Sequence, residues 1–353
     1  MSNRSFEYSG RSPHVIFATG SRSRLAEQAK KLDCGTLIVL ATPEQQDIAE
    51  EMHGHLGSAS AGIFAKATMH TPVHVTEQAM QELRDRKAGG ILAVGGGSTI
   101  GLGKALKLRS RLPYIALPTT YAGSEVTPIL GETSGGEKTT IRDHSLMPDI
   151  VIYDPDLTTS LPVSMSIVSG INAIAHAAEG LYAADRNPIS SIAAIEGIRA
   201  LRTALPVIKS SPQDKKGRAD ALYGAWLCGS VLGSVGMALH HKICHVLGGS
   251  FDLPHAETHA IMLPHSISYN ADAATEALAP LRELFGERIA GGLYDFAASL
   301  GAPLALRNFG LTERDLDKAS DLAVKNPYLN PRPIERGAIR EMLQNAWEGN
   351  RPE

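Results

Sequence analysis

Cysteine is scarce in this chain. The 353 residues hold only Cys34, Cys228 and Cys244, and no Cys-x-x-Cys pair occurs. That excludes a disulfide scaffold and a zinc ribbon, and leaves each thiol as a small buried hydrophobe. Aromatic residues are sparse too, at 5%, beside 34 glycines. This balance suits an α/β enzyme with many tight turns better than an aromatic-packed sandwich. There is no surplus of positive charge, since 34 basic residues face 37 acidic ones for a net −3. Neither nucleic acid nor a membrane is therefore an expected partner. The chain also lacks any apolar run of roughly 18 residues, the length a spanning helix needs. Its first residues carry no apolar leader segment, so a cytoplasmic location is the default expectation.

What is present is an ordinary globular balance, 43% apolar and 20% charged, in a chain long enough for two domains. The first 155 residues alternate short β-branched runs with helical patterns. Strands are expected at Val15–Phe17, Thr36–Thr42, Gly90–Val94, Pro113–Leu117 and Asp149–Tyr153. Several are apolar throughout, as strands buried on both faces of a parallel sheet must be. Helices are expected at 21–32, at Glu44–His55 after Pro43, and from Pro72 to about Arg86 with Thr71 as the cap. The stretch from Thr119 to Pro148 is irregular and reads as loops or a hairpin. Beyond Asp154-Pro155 the texture becomes Ala-rich and helical, at about 162–184, 189–207, 214–248, 257–270, 274–286, 289–299, 312–324 and 333–346. The expected fold is α/β: an N-terminal doubly wound parallel-sheet nucleotide-binding domain (1–155), then a C-terminal all-helical domain (156–353).

Three constellations carry chemistry. In Ala93-Val-Gly95-Gly96-Gly97-Ser98 a buried strand ends in three glycines and enters a helix. Glycines let backbone approach a diphosphate, and the free N–H groups of a helix start bind anions. The Gly-x-Gly-x-x-Gly fingerprint fails at Ile100. A phosphate-loop reading fails at Gly103-Lys104, which Ala105 follows. In Leu117-Pro-Thr119-Thr120-Tyr121-Ala-Gly-Ser124-Glu-Val-Thr127 a second polar loop follows a strand, where α/β folds bind ligands. The third constellation is histidine. The window 240–265 holds His240, His241, His245, His255, His259 and His265, where even spacing of 13 histidines gives about one. His241 and His245 share a helix face, as do Asn172 and His176. The zinc protease pattern His-Glu-x-x-His is absent, because Lys242 follows His241.

In this order the constellations resemble the iron-containing alcohol dehydrogenase superfamily, over nearly the whole chain. The resemblance implies NADH or NADPH as cofactor, with Gly95, Gly96, Gly97 and Ser98 on the diphosphate and Thr119, Thr120 and Ser124 in the second cofactor loop. The family's metal ligands fall on Asn172, His176, His241 and His255. Asn172 stands where the family has Asp, which removes the only anionic ligand, so no metal is expected. Gly101 replaces another common Asp, and Tyr121 a common Ala. With Pro254-His-Ala-Glu-Thr-His259 and Asn326-Pro-Tyr-Leu-Asn-Pro-Arg-Pro333, these departures are similar to the maleylacetate reductase branch. That branch implies reduction of the enone C=C of maleylacetate to 3-oxoadipate, in bacterial breakdown of aromatic compounds, by a homodimer.

The catalytic set is then His176, His241, His245, His255 and Asn172. The small dicarboxylate substrate has candidate partners in Tyr121, Lys138, Arg142, Lys242 and Arg332. A metal-dependent alcohol dehydrogenase of the same superfamily and an inactive NAD-binding protein are the alternatives.

Overall fold

The computed structural model describes residues 6–8, 10, 12–135 and 137–353, with the side chains of Glu137 and Lys138 outside the description. Two compact units divide the chain, with the change at Leu161/Pro162.

The first unit runs β1 (His14–Phe17), α1 (Leu25–Lys31), β2 (Leu37–Leu40), α2 (Gln46–Leu56), β3 (Ser60–Phe64), α3 (Val73–Asp85), β4 (Gly90–Gly95), α4 (Gly97–Ser110), β5 (Tyr114–Pro118), β6 (Ile129–Ser134), β7 (Glu137–Arg142) and β8 (Ile150–Tyr153). Six strands form one parallel sheet in the order β1-β8-β5-β4-β2-β3. Every residue of β2, β4, β5 and β8 is buried, which accounts for their unbroken apolar runs. Leu37, Val39, Leu92, Val94, Ile115 and Leu117 alternate onto one face and pack with Leu25, Ala29, Ala49 and Met52 of α1 and α2. Each Val, Leu, Ile or Met side chain among them contributes about 1.5–3 kcal/mol when fully buried. Strand addition runs outward from β2 to β3, then reverses through β4, β5 and β8. That reversal opens a ligand crevice at the carboxyl ends of β2 and β4. The irregular stretch after Thr119 contains an antiparallel hairpin of β6 and β7.

The structure differs from expectation at three places in this unit. β3 was not foreseen, because Ser60–Ile63 are only half-buried at the sheet edge and lack an apolar run. Thr71 is not the cap of α3. Its φ is +44°, Pro72 takes the N-cap, and the helix begins at Val73. Pairing with the hairpin holds this approach in place, as Thr133 N–H donates to Thr71 O and Pro72 bridges Thr133. The unit also extends past 155. Buried Asp154 accepts hydrogen bonds from Gly20 N (2.9 Å), Arg22 N (3.1 Å) and the Arg22 guanidinium (2.9 Å), and Leu157 joins the core.

The second unit, residues 162–353, has helices and no strand among its described residues. It carries α5 (Val163–Gly180), α6 (Pro188–Ser210), α7 (Lys215–Ser234), α8 (Leu239–Phe251) and α9 (His255–Asn270), then helices at Thr275–Leu278, Arg282–Phe285, Ile289–Leu300, Asp315–Ala323 and Arg336–Glu348. The pattern at 214–248 is two helices, bent by 95°. At the break, Gly236 N–H donates to Asp185 (2.9 Å) and Leu239 N–H donates to Asn330 Oδ1 (3.3 Å). Distant side chains thus satisfy the backbone groups that a continuous helix would have used. No single helix among the described residues is long and apolar enough to cross a membrane.

Candidate active site

In the first unit the cradle is built by β4, α4 and β5. Gly95 ends β4 with φ +153° and Gly96 is the N-cap of α4, so Ser98 is the second helical residue and makes no cap. The first backbone bond of α4 is Ile100 N–H to Gly96 O (3.0 Å), and a helix start leaves its earlier N–H groups for a ligand. A Cβ on Gly95 would lie 2.5 Å from Thr99 Oγ1, and one on Gly96 would lie 2.9 Å from Thr120 Cγ2, while Gly97 faces open space. The two polar loops therefore touch at Gly96 and Thr120. They are joined again by Thr119 N–H to Gly95 O (3.1 Å) and by Gln45 Nε2 to Thr119 Oγ1 (2.7 Å). Gln45 comes from the turn after β2, so three loops meet where the strand order reverses. This geometry fits the diphosphate of a dinucleotide. Gly101 has a local reason as well, since a Cβ there would meet Thr71 Oγ1 at 2.5 Å.

In the second unit α5, α8 and α9 bring imidazoles together. The α7/α8 break starts α8 just before His240 and His241, and both are buried. Glu179, one turn beyond His176 on α5, is 1% exposed and organises the cluster. Its Oε1 accepts from His240 N–H (2.7 Å). Its Oε2 accepts from His241 N–H (3.3 Å) and, more closely, from His241 Nδ1. Burial opposes ionisation of Glu179, but attraction to His241 and His240 prevails and holds its carboxyl below the usual range. His241 Nε2 then meets His176 Nδ1 at 2.8 Å.

A second relay fixes the remaining protons. Ser266 Oγ donates to Leu263 O (3.0 Å), so it accepts from His240 Nδ1 (2.9 Å). Burial pushes His240 down to about 3, leaving it neutral with a bare Nε2. His259 Nδ1, 2.9 Å away, donates to that lone pair. Burial, reinforced by the surrounding histidines, also holds His259 well below its ordinary value. Its Nε2 is thus an unprotonated acceptor, buried and without a hydrogen-bond partner, as is Asn172 Oδ1.

These atoms permit a test for a metal. The ligand nitrogens of His176, His241 and His259 lie within 4.8 Å of one another; His259 Nε2 is an orphaned acceptor, and a second, Asn172 Oδ1, shares a helix face with His176. The set fits a divalent ion. All its donors are neutral, because both Glu179 oxygens are engaged by His240 and His241. Borderline ions such as zinc suit it better than hard ones.

The expected site residues fall as follows. Asn172, His176 and His241 are buried together on α5 and α8, whereas His245 and His255 are exposed. The His255 ring centroid lies 4.4 Å from that of His259, and His245 lies 6.2 Å from His241. Tyr121 is fully buried in its loop. Arg142 is exposed on β7 opposite Ile129, and the side chain of Lys138 lies outside the described residues. Lys242 follows His241 on α8, with Nζ 5.9 Å from the Tyr328 ring centroid. The exposed Arg332 stacks its guanidinium 4.3 Å from the Tyr269 centroid. Glu179 was not foreseen as a site residue, and His240 and His259 were counted in the histidine window without an assigned role. Glu179 had a signal, being the one charged residue in the apolar run Ile167–Gly180. His259 lies four residues beyond His255, and α9 begins at His255 rather than at 257, so the two share a face.

Comparison with known proteins agrees with this architecture. The model for "Iron-containing alcohol dehydrogenase" matches residues 12–155, and that for "Fe-containing alcohol dehydrogenase family, C-terminal" matches residues 166–347. The chain belongs to the iron-containing alcohol dehydrogenase family. Within it, the chain is similar to maleylacetate reductases along its whole length. It is 55% identical to the maleylacetate reductase of a Rhizobium species, over 99% of this chain and 99% of that one. It is 49% identical to that of Burkholderia cepacia, over 98% and 99%. The crystal structure of maleylacetate reductase from Agrobacterium tumefaciens covers 99% of this chain and 100% of its own, at 54% identity and a TM-score of 0.97.

Proposed function

We propose that this chain is a maleylacetate reductase that uses NADH or NADPH and needs no metal. The observation that carries this reading is the 55% identity to a maleylacetate reductase across 99% of both chains. When bound, the reduced nicotinamide supplies hydride to the alkene carbon β to the ketone of maleylacetate, and a proton at the α carbon completes 3-oxoadipate. Gly95, Gly96, Gly97, Ser98, Thr119, Thr120 and Ser124 are the residues that would hold the cofactor.

The chain's own contribution is electrostatic. Negative charge develops on the ketone oxygen as hydride arrives, and imidazole N–H groups aimed at that oxygen lower the barrier. Glu179 holds the His241 ring and its tautomer. The N–H of His241 is held by Glu179 and that of His176 by His241 Nε2, so this pair donates to the ketone oxygen only with an added proton, which His255 and His245 at the exposed rim can exchange with solvent. Asn172 adds an uncharged polar group that does not repel a dianion. Lys242, on the helix that carries His241, is the first candidate partner for a substrate carboxylate, with Tyr121, Lys138, Arg142 and Arg332 as further candidates. A cytoplasmic homodimer belongs to the same reading.

Metal independence draws support from the 2.8 Å His176–His241 contact, which uses the lone pair an ion would need, and from the neutrality of the donor set. The orphaned acceptors Asn172 Oδ1 and His259 Nε2 favour the alternative, in which His176, His241 and His259 hold an ion that polarises the ketone. Exhaustive chelation decides between them. Full NADH oxidation with maleylacetate after chelation is the expected result. Loss of activity that zinc or iron restores would assign the protein to the metal-dependent dehydrogenases.

A further inference from the structure

A lysine beside a glycine in a phosphate-binding helix invites a phosphate role, yet the surroundings of Lys104 give it another. Lys104 lies two turns into α4 and is fully buried. Its ammonium donates to Ser124 O (2.6 Å), Thr127 Oγ1 (2.9 Å) and Ile129 O (2.8 Å). An ammonium has three protons, so these acceptors use them all. None is left for a phosphate.

All three acceptors belong to one segment, the distal half of the loop after β5 and the start of β6. Ser124 N-terminates a short 3-10 turn, Ser124–Val126, whose middle residue is the buried Glu125. Glu125 in turn accepts from Tyr153 Oη on β8 at 2.7 Å. Thr127 adds a bond from its own hydroxyl to Ser124 O (3.1 Å). The segment is thereby tied to α4 by Lys104 and to β8 by Glu125. Burial draws the Lys104 amine down to about 7, opposed by the Glu125 charge. An apolar side chain would avoid desolvating a charge there but would give up the three hydrogen bonds that tie this segment to α4.

We infer that Lys104 is a positioning residue, holding the second cofactor loop in register with the diphosphate loop so that both meet one dinucleotide. The two loops approach at Gly96 and Thr120, and Lys104 fixes the far end of the second loop to the helix that the first loop opens. The inference rests on the cofactor reading proposed above.

The test uses the full-length protein and NADH. Lys104→Met keeps the stem and removes the three donors. It should raise the NADH dissociation constant, followed by nicotinamide fluorescence, by about tenfold or more, as expected for losing charged hydrogen bonds. KM for NADH should rise far more than KM for maleylacetate. Lys104→Arg, which keeps charge and donors, should recover part of the affinity. If Lys104→Met does not fold, Thr127→Val removes one acceptor with little change of shape and should weaken NADH binding by a few-fold. Wild-type affinity in the folded variants overturns this inference alone. Failure of the unaltered protein to bind either NADH or NADPH overturns the cofactor reading and this inference with it.

Discussion

Replacing Glu179 by Gln is the most informative single change. The carboxylate is 1% exposed and receives three N–H groups, two at Oε2 and one at Oε1. Glutamine keeps one acceptor oxygen and places an NH2 group on the other side. If that group faces His241, the main-chain N–H and Nδ1–H of His241 both meet a donor. If the amide is reversed, His240 N–H does. Each buried donor left unpaired costs about 1–3 kcal/mol, so stability should fall by about 1–6 kcal/mol depending on the orientation. His241 can escape by moving its proton from Nδ1 to Nε2, but Nε2 then faces His176 Nδ1 at 2.8 Å, and that ring must shift its proton too. The polarity of the whole cluster inverts. Losing a group that fixes the tautomer of a working histidine lowers activity by about 10- to 10⁴-fold. Urea unfolding and NADH oxidation with saturating maleylacetate measure the two effects separately. Glu179→Asp, charged but one methylene short, should fall between the two. A Gln variant with wild-type kcat and wild-type stability would refute the view that Glu179 orders these histidines.

Three further outcomes are expected. Gly96→Val presses on Thr120, 2.9 Å from the Cβ position, and should raise the NADH dissociation constant strongly; circular dichroism and a nucleotide titration check fold and affinity together. Asn172→Asp adds an anion to the neutral donor set, and calorimetry should show tighter zinc binding without faster turnover in metal-free buffer. Lys104 titrates near 7 when folded and at its ordinary 10.5 when unfolded, so between those values the unfolded chain binds more protons. Wild-type stability should therefore rise relative to Lys104→Met as pH increases through that window and fall away as pH drops to about 7. Glu125, whose charge faces the amine, and its hydrogen-bond donor Tyr153 are present in both forms; parallel pH profiles would count against the shift.

The sequence alone determined the elements whose surroundings are uniform. Strands buried on both faces must be apolar at every position, so β2, β4, β5 and β8 could be read directly. Glycines that must admit a ligand or a neighbouring loop stand out for the same reason, as at Gly95–Gly97. The long helices follow from composition and period. Tertiary structure decided whatever depends on partners far away in the chain. β3 is a strand because β2 offers it an edge, and Thr71 yields the cap to Pro72 because Thr133 holds that segment. The pattern at 214–248 breaks because Asp185 and Asn330 take the backbone N–H groups at the bend, and that break sets where His240 and His241 point. His255 and His259 share a face of α9, but His255 lies in its first turn and stays exposed while His259, one turn deeper, is buried. Spacing places two side chains on the same face of a helix, but only packing against other helices decides which face is buried. Residue spacing could therefore indicate a histidine site without naming Glu179 as its organising charge.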